Sequence, residues 1–172
     1  MILKSLRVVA TLALFATANS AARADAIGIG DFGPTAVLTD LNNLGNVTGF
    51  APLTVGIYTF TTDDGHLRYA NFGVNNSLAL GNNTDLGFID IAIAADANVT
   101  KFGFLVGLAG EAQQHRETVP FFDTNNILLG SIGVTRDGGY EFVGWENTAG
   151  FIGGALVTDI DLNSTVVTLD NR

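Results

Sequence analysis

The stretch that most constrains this chain is Val119 to Ile132, VPFFDTNNILLGSI, where two apolar runs flank Asp123-Thr124-Asn125-Asn126. Asp and Asn accept turn geometry and hydrogen-bond to nearby backbone. The stretch therefore predicts a β-hairpin, and its arms are apolar enough to lie inside a two-sheet core. The same pattern of short strand, Gly/Asn/Asp turn and short strand recurs along the chain. No 11-residue window beyond the first residues keeps a helical period of apolar side chains, and β-branched and aromatic residues fill the runs. About nine to eleven short strands at this spacing predict an all-β protein. Its expected form is a two-sheet antiparallel β-sandwich, jelly-roll-like, in a single domain.

Individual runs refine that expectation. Leu53 to Thr62 reads as one strand with Tyr58 and Phe60 on one face. Phe88 to Ala94 alternates, with Ile89, Ile91 and Ile93 on one side and Asp90 on the other. Val99 to Leu108 puts Phe102, Phe104 and Val106 on one face. Gly103 and Gly107 lie opposite, where a second backbone or a ligand can approach closely. Thr35 to Leu38 reads as a short strand, and Gly73 to Gly87 reads as the longest polar loop.

The first 26 residues carry the pattern of a cleaved leader. Lys4 and Arg7 form a positive start, Val8 to Ala16 is a short apolar run, and small residues follow. The apolar run is shorter than the roughly 20 residues that span a bilayer. Ala22-Arg23-Ala24 and Ala24-Asp25-Ala26 both offer a cleavage frame. The preferred cut follows Ala26, leaving 27–172 as the sandwich domain, exported to a periplasm or beyond the cell. Lys4, Arg7, Arg23 and Asp25 leave with the leader. Five basic and sixteen acidic residues then remain, a formal charge of −11 against −9 for the whole chain. Such a surface repels nucleic acid and anionic lipid. No cysteine is present, so neither disulfides nor thiolate metal sites can hold this domain together. No later apolar segment reaches membrane length.

Several short motifs in the second half carry a family resemblance: Val99-Thr-Lys-Phe-Gly-Phe104, Phe121-Phe-Asp-Thr-Asn-Asn-Ile-Leu-Leu-Gly-Ser131, Phe142-Val-Gly-Trp145 and Val166-Val-Thr-Leu-Asp-Asn171. In these the chain resembles the small exported β-sandwich domains of bacterial proteins of PEP-CTERM type. The resemblance covers residues 88–171 best. It implies an exported sandwich with no assigned activity. The sorting tail of that family, Pro-Glu-Pro followed by an apolar span and a basic cluster, is not in this sequence, which runs to Arg172.

Side-chain chemistry points away from catalysis. The histidines are His66 and His115, and the serines outside the leader are Ser77, Ser131 and Ser164, none in a G-x-S-x-G frame. Glu141 and Glu146 are five apart on one expected strand and so face opposite ways. The expectation is a non-enzymatic binding or structural module at the cell exterior, with a glycan, matrix component or protein as ligand. A carbohydrate-active hydrolase and an envelope or matrix subunit assembling through sheet edges are the alternatives. For a glycan, Trp145 is the candidate platform, with Tyr140 and Asn147 beside it. The plainer reading makes Trp145 a core residue with its indole N–H bonded to backbone. For a structural calcium, Asp31 and Asp170 are the candidate ligands, brought together if the first and last strands pair. The plainer reading makes them turn and edge residues. Asp63-Asp64-Gly65-His66 is a turn signal that could also hold a metal.

Overall fold

The computed structural model describes residues 24–39, 41, 48–71, 78–82, 87–108, 115–136, 139–159 and 167–170. Thirteen strands are present among them. In chain order they are β1 (Ala24–Ala26), β2 (Thr48–Phe50), β3 (Leu53–Val55), β4 (Tyr58–Thr62), β5 (His66–Asn71), β6 (Leu78–Asn82) and β7 (Phe88–Ile93). They continue with β8 (Lys101–Leu108), β9 (His115–Asp123), β10 (Leu128–Arg136), β11 (Gly139–Asn147), β12 (Ile152–Asp159) and β13 (Val167–Asp170). Short 3₁₀ turns at Ile29–Asp31 and Ala95–Ala97 are the helical elements among the described residues. No helix among the described residues is long and apolar enough to cross a membrane.

The strands form two antiparallel sheets. One has seven strands in the order β1-β11-β8-β13-β6-β5-β2, and the other has six in the order β10-β9-β12-β7-β4-β3. The expected hairpin, β9 and β10, lies at one edge of the six-stranded sheet and is the innermost of a set of nested strand pairs. β9 pairs with β10, β8 with β11, β7 with β12 and β6 with β13, and these nested pairs fall alternately in the two sheets. The chain from β6 to β13 is thus one long hairpin, turned at Asp123–Asn126 and rolled up. The turn is held by its own polar residues. Asp123 Oδ1 accepts hydrogen bonds from the backbone N–H groups of Asn125 and Ile127, both at 2.8 Å, and Asn126 takes the left-handed conformation at φ 62°. These bonds favour the charged carboxylate and hold its pKa below the ordinary value.

The inner faces of the sheets meet in an apolar core that includes Phe60, Leu80, Ile89, Ile91, Ile93, Val106, Val119, Phe121, Val134 and Val157. Aromatic rings bridge the sheets. Tyr58 stacks on Phe102 at 5.4 Å, Phe121 stacks on Trp145 at 5.5 Å, and Phe102 meets Phe121 edge-on at 6.3 Å. Offset and edge-on ring pairs of this kind add to the stabilisation from burial alone.

The structure departs from the expected strands in three places. Leu53–Thr62 is two strands, because Gly56 at φ 59° opens a two-residue turn and Val55 pairs back with Tyr58. Leu78–Asn82, inside the expected polar loop, is strand β6, since Leu80 is buried between the sheets. Thr35–Leu38 is irregular and pairs with no strand among the described residues. The expected leader boundary also meets a strand. Ala24, Asp25 and Ala26 pair with Asn147, Glu146 and Trp145. A cut after Ala24 keeps two of these pairs, and a cut after Ala26 removes β1.

Candidate functional site

The seven-stranded sheet has a notch beside β8. β13 pairs with β8 only from Leu105 to Leu108, so Lys101–Phe104 has β11 on one side and no strand on the other among the described residues. A strap, residues 27–39, runs over the sheet here. It is anchored by Ile27 N–H donating to Gly144 O at 2.9 Å and by the Phe32 ring meeting Phe142 edge-on at 5.8 Å. Lys101 Nζ adds a hydrogen bond to Asp31 O at 3.1 Å. Leu41, just beyond the strap, is buried in the core.

Between strap and notch lies an apolar cleft of about 190 Å³. Phe102 and Phe104 face the core, whereas Gly103, Leu105 and Phe142 are on the outer face of the same sheet. A cleft lined by all five therefore wraps round the free edge of β8. Gly103 is essential to this shape. A Cβ there would collide with the Phe142 ring and with Val143 O, so the close approach expected opposite Phe102 and Phe104 is that of a ring on bare backbone. On the strap side, Val37 and Leu38 line the cleft while remaining 86% and 68% exposed. Among the described residues no charged side chain lines it, and its side-chain hydroxyls are those of Thr39 and Tyr58. Burial pushes the Tyr58 phenol above its ordinary pKa, against the opposing effect of a hydrogen bond with Thr39, so the phenol is neutral at neutral pH.

The residues expected to bind a glycan are placed elsewhere. Trp145 is 7% exposed, stacked on Phe121, and its indole covers Gly130 where a Cβ would otherwise stand. It presents no platform to solvent, which corrects the expectation of an exposed ring. Its indole nitrogen is buried with no hydrogen-bond partner among the described residues, so the expected backbone bond is also not made. Tyr140 is half-buried, and at five residues' distance it lies on the opposite face of β11 from Trp145. Asn147 is buried and structural. Its N–H donates to Thr100 O, and its Oδ1 accepts from Ala149 N–H at 3.1 Å, shaping the exit from β11.

The first and last strands do not pair, because β11 and β8 stand between β1 and β13. Asp31 uses its carboxylate on its own turn, where Oδ2 accepts from Gly28 N–H at 2.8 Å, and its carbonyl accepts from Lys101. Asp170 pairs with Leu105, four residues along β8 from Lys101 or about 13 Å, and its side chain lies outside the described residues. At Asp64, slight burial opposes ionisation, but bonds from His66 N–H and the Thr62 hydroxyl outweigh it and lower the carboxyl pKa. The His66 ring stands 3.5 Å from this carboxylate, so the segment is a self-bonded turn. Among the described residues no three His, Asp or Glu side chains gather as a metal site.

The strap was the feature the sequence reading missed. Its signal was Ala36-Val37-Leu38 after Pro34, an apolar run too short to build a paired strand. Comparison with protein-family models, with curated proteins and with solved structures finds no match for this chain.

Proposed function

We propose that this chain is an exported, non-enzymatic β-sandwich module of jelly-roll type that binds a neutral, apolar small molecule in the cleft beneath the strap. The nested strand order supports the jelly-roll reading, and the leader pattern supports export. One observation carries the function: a ring-lined cleft, with no charged residue among the described residues of its wall, at whose mouth Val37 and Leu38 stay exposed. Ligand sites are typically concave and mostly apolar, with a few placed polar groups. An apolar cavity of about 150 Å³ holds one benzene ring, so a cleft of about 190 Å³ suits a single ring or a short branched chain. Thr39 and Tyr58 can orient one hydroxyl or carbonyl on it. Glycan binding through Trp145 receives no support from a buried indole.

Saturation-transfer NMR with benzyl alcohol, a ring with one hydroxyl, tests the proposal. The intact leader-free protein is expected to give a saturable signal. Leu38→Asp, which sets a charge at the mouth without touching the core, should abolish it. An equal signal from both proteins would rule the cleft out.

A further inference from the structure

Among the described residues the two sheets have four edge strands, and three of them, β1, β2 and β3, span three residues each. The fourth, β10, is nine residues long, and from Leu128 to Thr135 it carries no charged residue and no proline. Folded proteins usually blunt such an edge with charge, proline or brevity. β10 has a bulge near Leu129, but from Gly130 to Arg136 its ladder with β9 is regular. Among the described residues no strand pairs with its other side.

The direction of its backbone groups follows from one residue of β9. Ser131 stands opposite Pro120, which has no N–H and cannot exchange the two bonds of a hydrogen-bonded pair. That pair is therefore the non-bonded kind. Gly130, Ile132, Val134 and Arg136 turn their N–H and C=O groups toward β9. Ser131, Gly133 and Thr135 turn theirs outward. A Cβ at Gly133 would meet nothing within 4 Å, so the outer face is open here as well.

We infer that β10 is a self-association edge, pairing antiparallel with β10 of a second copy about a two-fold axis at Gly133. Gly133 then exchanges both backbone bonds with its counterpart, and Ser131 of each copy does so with Thr135 of the other. The six outward groups are thereby satisfied, and two six-stranded sheets become one continuous sheet. A second copy fits better than an arbitrary peptide. The antiparallel edge is self-complementary, as an isologous contact requires. An uncharged strand also lets two strongly acidic molecules meet without opposing like charges across the ladder.

Light scattering coupled to size exclusion on the leader-free chain, from low to high micromolar, tests this. The wild type is expected to approach twice the mass of one chain as concentration rises. Gly133→Pro removes an outward N–H and leaves the β9 ladder intact, so it should stay at the mass of one chain with an unchanged melting midpoint. If that variant fails to fold, Ser131→Lys is decisive, since it charges the edge and spares the backbone, and it too should be monomeric. A wild type that stays monomeric throughout, or a folded variant that dimerises as well as the wild type, overturns the inference.

Discussion

The indole nitrogen of Trp145 is a buried donor without a partner among the described residues, and that makes its replacements informative. Truncation to Ala opens a cavity between Phe121 and Gly130 and should cost about 3–5 kcal/mol. Phe keeps most of the stacked ring and removes the unsatisfied donor, a group that costs roughly 1–3 kcal/mol when buried unpaired. Trp145→Phe should therefore lose about 1 kcal/mol or less, measured by urea unfolding, whereas a ligand-binding surface tryptophan would show little stability loss with either change. At this scale the sequence is legible for alternation and silent on exposure. The spacing of Ile89, Ile91 and Ile93 declares their face, but whether a lone Trp near a turn lies inside or outside depends on β9 and β10, which reach it only in the folded state.

Among the elements, β7 carries one liability. It is a central strand, and its outer face holds Asp90, half-buried opposite Thr61 and Leu156. Burial raises this carboxyl above its ordinary pKa, and a bond with Thr61 offsets only part of that shift. A raised folded pKa means the native state binds the proton more tightly than the unfolded chain does. The group therefore subtracts stability as pH climbs through the unfolded value, about 4, and the full loss persists at neutral pH. Asp90→Asn should melt above the wild type at pH 7, with the gap closing below about pH 4. A gap that widens toward acid would contradict the shift. Elements were legible where turn chemistry was explicit, as at Asp63-Asp64-Gly65 and Asp123–Asn126. They were misread where a glycine turned the chain inside an apolar run, as at Gly56. The strap was illegible because its hold on the sheet comes from Ile27, Asp31 and Phe32 meeting Gly144, Lys101 and Phe142, 70 or more residues away.

At the scale of the whole molecule, β6 to β13 form one hairpin rolled about Asp123–Asn126, and β2 to β5 extend the two sheets beyond it. Asp31 Oδ2 accepts from Gly28 N–H and its carbonyl from Lys101, and among the described residues no group of three His, Asp or Glu gathers that could hold a metal. Melts in calcium and in EDTA should coincide, and a calcium-dependent rise lost in Asp170→Ala would restore the metal reading. The central claim is that the notch beside β8 is a binding cleft. Amide shift mapping of the protein during a benzyl alcohol titration tests it. Saturable shifts confined to residues 36–39, 58–60 and 102–105, and absent in Ala36→Trp with its cleft filled, are the result this account predicts. Shifts scattered over the surface, or none at saturation of the solvent with ligand, would contradict it.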